Sequence, residues 1–310
     1  MKDLLDIIII GAGPAGLTAA IYAGRSRTSA IVMEKSAPGG TIILSDIIEN
    51  YPGYPEPIPP FELMDKFRMQ AEKFGASIVY DEAKKIEKNN FYWKVIGNDG
   101  EYLGKAVIVA TGTRHKKLGI HGEKEFTGKG VSYCAVCDGP FYKDKEIVVV
   151  GCGNSGIQEG LFLLKFVKKI TFVEFLPQMT AEKILQERIM EKNNVEIFLN
   201  HELLEINGRG KIESVKIRER NTNKIKEINA HGVFIYVGLL PNSEFIKDIV
   251  KTDDYGYIIT DNNLQTSEPG IFVAGDVRAG AFQQVAVSVG DGATAAHNAI
   301  KYIEDISPGF

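Results

Sequence analysis

At 310 residues the chain is long enough for two domains, each with its own core. Apolar residues make up 44% and charged residues 25%, as in soluble globular proteins, and a net charge of -4 leaves no basic surface for nucleic acid or an anionic membrane. The three cysteines make no even-numbered disulfide framework, which fits a reducing cytoplasm.

The first predicted element is a strand over residues 6–10, a continuous isoleucine run suited to a parallel strand buried on both faces. It leads into Gly11-Ala12-Gly13-Pro14-Ala15-Gly16 and a helix from Leu17 to about Arg25. This is G-x-G-x-x-G in its strand–turn–helix setting. The first glycine permits the turn, the second lets backbone approach a pyrophosphate, and the third lets the helix pack on the strand. Residues 7–24 carry no charge and superficially resemble a signal peptide or membrane span. The regularly placed glycines make strand, turn and buried helix the better reading, and no membrane segment is expected. A second strand over residues 30–33 ends at Glu34, which lies 18 residues after Gly16, where a ribose-binding carboxylate belongs. A solvated strand end is the alternative for Glu34.

Gly39-Gly40-Thr41 and Glu49-Asn50-Tyr51-Pro52-Gly53 allow close backbone approach to a flat ligand. The proline-rich residues 51–60 read as an ordered extended loop before an amphipathic helix over 61–74, with Phe61, Leu63, Met64, Phe67 and Ala71 on its apolar side. Residues 78–80, 84–87 and 91–95 alternate like half-buried strands, with a turn at Asn98-Asp99-Gly100. An apolar strand over 106–110 ends at Thr111-Gly112-Thr113. The charges Arg114, His115, Lys116 and Lys117 read as a solvated crossover between domains.

Next stands Cys134-Ala135-Val136-Cys137-Asp138, two thiols separated by two residues and followed by a carboxylate. Such a pair is a redox dithiol, half of a zinc site or a structural pair. Zinc needs about four ligands. The only other cysteine is Cys152, and the five histidines show no paired spacing, so the redox reading leads and no metal site is expected.

The opening pattern then repeats. A strand over 146–150 feeds Gly151-Cys152-Gly153-Asn154-Ser155-Gly156, a helix to about Val167, and a strand over 170–173 ending at Glu174. Gly11 and Gly151 are 140 residues apart, as are Glu34 and Glu174, so the chain holds two doubly wound dinucleotide-binding units. Cys152 reads as a small loop residue. A helix over 181–191, strands over 195–199, 212–218 and 226–230, and a buried strand over 232–238 complete the second unit, with its exit at Pro241-Asn242. A last buried strand ends at Gly275-Asp276. A helix over 284–300, rich in small residues, suits close packing on a ligand or on a sheet.

Together these motifs resemble those of the low-molecular-weight thioredoxin reductases of bacteria and archaea, over essentially the whole chain. The resemblance rests on both glycine loops, Glu49-Asn50-Tyr51-Pro52-Gly53, Ala110-Thr111-Gly112, Cys134-Ala135-Val136-Cys137-Asp138-Gly139 and Ala274-Gly275-Asp276. It implies an α/β protein of two Rossmann-like three-layer dinucleotide-binding domains, the second inserted into the first. Residues 1–113 and 242–310 would bind FAD, and residues 114–241 would bind NAD(P) and carry the dithiol. The implied FAD contacts are Gly11, Gly13, Pro14, Ala15, Gly16, Glu34, Lys35, Gly40, Thr41 and Asn50, then Ala110, Thr111, Gly112, Gly275, Asp276, Gln283, Gln284 and Val285. Gly151, Gly153, Asn154, Ser155, Gly156 and Glu174 would hold the nicotinamide nucleotide. Cys137 would face the flavin, Cys134 would attack the partner, and Asp138 would manage protons, with helix capping as its bland alternative. The resemblance further implies a cytoplasmic homodimer and a thioredoxin- or glutaredoxin-like protein partner.

Two departures stand out. NADPH-dependent members carry His-Arg-Arg after the second strand and a further arginine downstream. Here stand Glu174-Phe175-Leu176 and Thr180, which would repel a 2′-phosphate and suit NADH. Near the C-terminus Gln283-Gln284 replaces Arg-Gln. These changes admit rivals: a non-nicotinamide donor such as reduced ferredoxin, a dithiol oxidase, or a non-catalytic flavoprotein that only docks a partner.

Overall fold

The structure is a computed structural model that describes residues 4–89 and 92–306. Phe91, at the start of one predicted strand, lies outside the described residues. The chain forms two compact units. The first is Met1–Ile43, Ile47–Arg114 and Leu240–Phe310, and the second is Leu44–Asp46 with His115–Leu239.

The first unit begins with β1 (Leu4–Ile10), α1 (Pro14–Arg25), β2 (Ala30–Glu34), α2 (Pro60–Lys73) and β3 (Ser77–Tyr80). β4 (Lys85–Asn89), β5 (Tyr92–Ile96) and β6 (Glu101–Val109) follow as an antiparallel meander. In β1 the side chains alternate between two cores, and all four isoleucines are at most 4% exposed. Ile7 and Ile9 pack with α1 residues, and Ile8 and Ile10 pack with Ile86, Trp93 and Val95 of the meander. An apolar run without polar alternation is therefore what this position requires, each side chain contributing roughly 1.5–3 kcal/mol by burial. In α2, Leu63, Met64 and Ala71 are buried as expected, but Phe61 is 72% exposed. It stands in the first turn beyond the edge of the stripe that Leu63, Met64, Phe67 and Ala71 define.

β7 (Thr113–His115) leads onward to α3 (Glu123–Phe126), β8 (Val131–Ser132) and α4 (Ala135–Asp138). Arg114, Lys116 and Lys117 are exposed as the sequence suggests, whereas His115 is half-buried. Arg114 donates to Pro241 O (2.9 Å) and Asn242 Oδ1 (3.1 Å) and pairs with Glu244. The His115 ring packs on Tyr133 and Tyr236, with centroids 6.1 and 5.9 Å away.

The second unit continues with β9 (Glu146–Val150), α5 (Asn154–Leu163), β10 (Lys169–Val173), α6 (Lys183–Met190) and β11 (Val195–Phe198). β12 (His201–Gly208), β13 (Ile212–Glu219) and β14 (Ile225–Asn229) make an antiparallel sheet. β15 (Gly232–Ile235) completes a parallel sheet in the order β11-β10-β9-β15-β8. Side chains of β9 alternate as in β1: Ile147 and Val149 face the α5 and α6 side, and Val148 and Val150 face Leu203, Ile206, Val215 and Ile217 of the antiparallel layer. β12 is absent from the sequence expectation.

The chain returns through β16 (Leu239–Pro241), which pairs with β7, to β17 (Ile271–Val273) and α7 (Val285–Ile306). The first-unit sheet runs β3-β2-β1-β6-β5-β4, with β17 alongside β6. Both units are thus three-layer α/β folds: helices, a parallel sheet, and further strands. Among the described residues no helix is long and apolar enough to cross a membrane.

Candidate active site

The two glycine loops are built alike. Gly11 has φ +107°, and a Cβ there would stand 2.4 Å from Ala110 O; a Cβ on Gly16 would stand 1.8 Å from Gly11 O. Gly151 (φ +104°) and Gly156 repeat this against Tyr236 O (2.1 Å) and Gly151 O (2.0 Å). Chain packing therefore demands the outer glycines. The middle glycines are different: the nearest atom to a Cβ is 3.8 Å away at Gly13 and 3.5 Å at Gly153. Those positions are open, as close approach of a ligand needs. Gly13 and Gly153 are also the N-caps of α1 and α5, and neither helix start has a side-chain cap. The first-turn N–H groups are left to meet an anion, so both loops fit a pyrophosphate.

Each loop is braced by its glutamate. Glu34, 8% exposed, accepts from Ala12 N (2.8 Å) through Oε2 and from Ser36 N (3.0 Å) through Oε1. Glu174, 7% exposed, accepts from Cys152 N (2.5 Å) through Oε2 and from Leu176 N (2.9 Å) through Oε1. Neither acid is a solvated strand end. Carboxylate oxygens have lone pairs to spare, so each can still accept a ribose hydroxyl. Cys152 is buried beside Glu174, and burial pushes its thiol up to about 12, which makes it inert at neutral pH.

Beyond Glu174, residues 175–180 contain no cation. The Arg220 guanidinium stacks on the Phe175 ring (3.6 Å) and donates to Phe175 O (3.1 Å). Thr180 bonds back to the loop, donating its N–H to Cys152 O (3.1 Å). Asn154 accepts from Glu182 N (2.7 Å), and Ser155 is exposed at the helix start.

In the first unit several expected residues converge. Gly40 (φ +71°) packs against Gly13, a Cβ there standing 3.2 Å from Gly13 Cα, and Gly275 (φ +77°) packs against Ala15. Asn50 Nδ2 donates to Gln284 Oε1 (3.0 Å) across 234 residues of sequence. Asp276, in the turn after β17, has its carboxyl pushed up by burial and by neighbouring Asp291, and it accepts from Ser288 Oγ (3.2 Å). Thr111 Oγ1 donates to Asn242 O (2.7 Å), between Ala110 and left-handed Gly112 (φ +60°). Val285 opens α7 and is buried, whereas Lys35 and Thr41 are exposed. Gln283 stands apart from the Asn50–Gln284 contact, its amide 3.4 Å from the Tyr257 hydroxyl. Ser36 and the Arg278–Asp291 pair (3.1 Å) were not foreseen; Asp291 also accepts from Gly275 N (3.1 Å) and so fixes the Gly-Asp turn.

Cys134 and Cys137 are joined as a disulfide with Cα atoms 5.4 Å apart. Cys134 is the N-cap of the one-turn α4, its Sγ accepting from Cys137 N (3.1 Å). Ser132 Oγ accepts from Cys134 N (3.1 Å). Cys137 is exposed and Cys134 half-buried. Asp138 closes α4 and makes no side-chain cap to the following turn, which leaves its carboxylate available for other work. No group of three or more metal-ligating side chains occurs among the described residues.

The model of the pyridine nucleotide-disulphide oxidoreductases matches residues 5–292. The chain belongs to that family. Within it, the thioredoxin reductase of Listeria innocua is 41% identical over 306 residues, covering 98% of this chain and 96% of its own. The structure of Lactococcus lactis thioredoxin reductase superimposes with a TM-score of 0.95 at 41% identity, covering 97% of this chain and 99% of its own. That of T. acidophilum gives 0.93 at 40%, covering 99% and 100%. This pyridine nucleotide-disulphide oxidoreductase therefore stands among the low-molecular-weight thioredoxin reductases, with two Rossmann-like units.

Proposed function

We propose that this protein is an FAD-dependent disulfide reductase that takes electrons from NADH in preference to NADPH and passes them to thioredoxin or a similar small protein. The observation that carries the reading is the bonded Cys134–Cys137 pair, which precedes β9 and a second glycine loop that duplicates the first. Two dinucleotide sites and one dithiol are the parts needed to move an electron pair from a nucleotide to a protein disulfide.

FAD, when bound to the first unit, supplies the two-electron carrier between nucleotide and disulfide. The first-turn N–H groups of α1, after Gly13, Pro14 and Ala15, would bind its pyrophosphate, and Glu34 would accept a ribose hydroxyl. Gly40, Asn50, Gly112, Gly275, Asp276 and Gln284 would line the rest, with Lys35, Thr41, Ala110, Thr111, Gln283 and Val285 in lesser roles. In the second unit the start of α5 would take the nucleotide pyrophosphate, and Glu174 would take the 2′-hydroxyl. A 2′-phosphate placed beside that carboxylate would be repelled. Cys134, as a thiolate, would attack the partner's disulfide, and Cys137 would displace the reduced partner and restore the internal bond. Asp138 would hold and release the proton that these steps require. The family resemblance supports a homodimer in a reducing cytoplasm.

Anaerobic titration with NADH, NADPH and reduced ferredoxin, followed by flavin absorbance, tests the donor. Steady-state reduction of thioredoxin tests the acceptor. NADH should exceed NADPH by at least about tenfold in kcat/KM, or about 1.4 kcal/mol. Equal rates, an NADPH preference, or bleaching by ferredoxin alone would reject the donor assignment.

A further inference from the structure

The residue after Glu174 is an aromatic that the proposed chemistry does not use. Phe175 is 50% exposed and stands just beyond β10, at the carboxyl end of the parallel sheet, where such sheets take their ligands. An unheld side chain on a loop would spread over its rotamers. This ring is held. The Arg220 guanidinium lies 3.6 Å from its centroid and donates to Phe175 O (3.1 Å) and Asn200 Oδ1 (3.5 Å). The Asn200 backbone ties both segments together: its N–H donates to Leu176 O (2.8 Å), and its carbonyl accepts from Arg220 N (2.9 Å). A stacked guanidinium anchored in this way fixes the plane of the ring.

The layers of the unit decide which face is covered. Arg220 follows β13, in the antiparallel layer on one side of the parallel sheet. Helices α5 and α6 lie on the other side. Arg220 therefore backs the ring from the antiparallel side and leaves the face on the helix side open. That side carries the start of α5, with the open position at Gly153 and an uncapped first turn. A flat platform, a carboxylate and a helix start thus follow one another, matching the base, ribose and pyrophosphate of a dinucleotide.

We propose that the open face of Phe175 stacks on the purine base of the nicotinamide dinucleotide, and that the site reads the ribose but not the base. This rests on the reading of the second unit as the nucleotide site. Telling one purine from another takes donors and acceptors aimed at its edge. Beside the ring those groups are already committed. Phe175 O accepts from Arg220, Leu176 O accepts from Asn200 N, and Leu176 N donates to Glu174 Oε1 (2.9 Å). The Leu176 side chain, 41% exposed, is apolar. What the segment offers the base is a π-face, which every purine can use. Discrimination is thereby concentrated on the ribose, through Glu174.

The test is equilibrium binding to the FAD-loaded full chain, by titration calorimetry, of NAD+ and of its hypoxanthine analogue, in which an oxygen replaces the amino group of adenine. Affinity is read, not turnover. Wild type should bind the two within about threefold of each other, since no edge reader is left unpaired by the exchange. Phe175→Ala should weaken both by at least about fivefold, and Phe175→Tyr, which keeps the flat face, should bind both within about twofold of wild type. Wild-type affinity in Phe175→Ala overturns the platform. A wild type that favours NAD+ over the analogue by more than about threefold overturns the tolerance for the base. That comparison needs no variant, so it holds even if Phe175→Ala fails to fold. A wild type that binds neither dinucleotide removes the nucleotide reading itself, and the platform with it.

Discussion

Replacing Glu159 with glutamine should stabilise the protein increasingly as pH rises. The unfolded chain ionises this carboxyl at its ordinary value of 4.5, whereas the folded chain, which buries it in α5, keeps the proton to about 8. Between those values the folded state binds the extra proton, so stability falls with rising pH, by about 1.4 kcal/mol per unit. The accumulated cost is about 3 kcal/mol at pH 7 and levels off near 5 kcal/mol above pH 8. Below about pH 4.5 it vanishes. Glutamine has nearly the same shape and does not titrate. The stability gap between Glu159→Gln and wild type should therefore widen by roughly 1 kcal/mol per unit from pH 5 to 8. Urea unfolding with saturating FAD, followed by far-ultraviolet circular dichroism, measures it. Fluorescence serves less well, because the single tryptophan, Trp93, lies in the first unit and Glu159 in the second. A gap that stays constant across this range would refute the buried, protonated acid.

Further expectations follow from the loops and the dithiol. Gly13→Ala should fold normally yet bind FAD at least tenfold more weakly, since its methyl meets open space; Gly16→Ala, driven against Gly11 O, should lose several kcal/mol of stability, and flavin content and thermal unfolding separate the two. Cys137→Ser should retain bound flavin and its reduction by NADH while losing thioredoxin reduction altogether. Retained turnover would favour a role in docking only. Arg220→Ala should change kcat/KM for NADH by less than about threefold and lower that for NADPH further, because Arg220 is the cation on the Glu174–Leu176 segment. Equal loss with both nucleotides would place Arg220 outside phosphate selection.

Sequence alone exposed what is periodic or sterically singular. The isoleucine run of β1 and the valine run of β9 were legible because a strand covered on both faces tolerates no polar alternation. The glycine loops were legible because their outer glycines are positions where any side chain collides with backbone. β12 escaped because Leu203-Leu204 breaks the two-residue period, and the pairing with β13 shifts register between Leu203 and Glu205. Arg220 on Phe175, 45 residues apart, is a meeting made only by tertiary packing. In sequence Glu159 is one acid on an amphipathic helix, with no sign that its face is the covered one.

The duplication separates what the two loops share from what they can vary. In both, a glutamate closes the turn by accepting the N–H that follows the first glycine. Removing either acid would strand a buried backbone donor, at about 1–3 kcal/mol. Glu174 thus has a structural duty independent of any nucleotide, to which the proposed role at the 2′-position would be added. Differences in ligand must then arise outside the brace. The first loop has Gly40 packed against Gly13. The second has Phe175, Leu176 and Thr180, none of them basic, with Arg220 stacked on Phe175. On the proposed nucleotide placement, the constraint that holds the second loop shut would also set the sign of the field at the 2′-position.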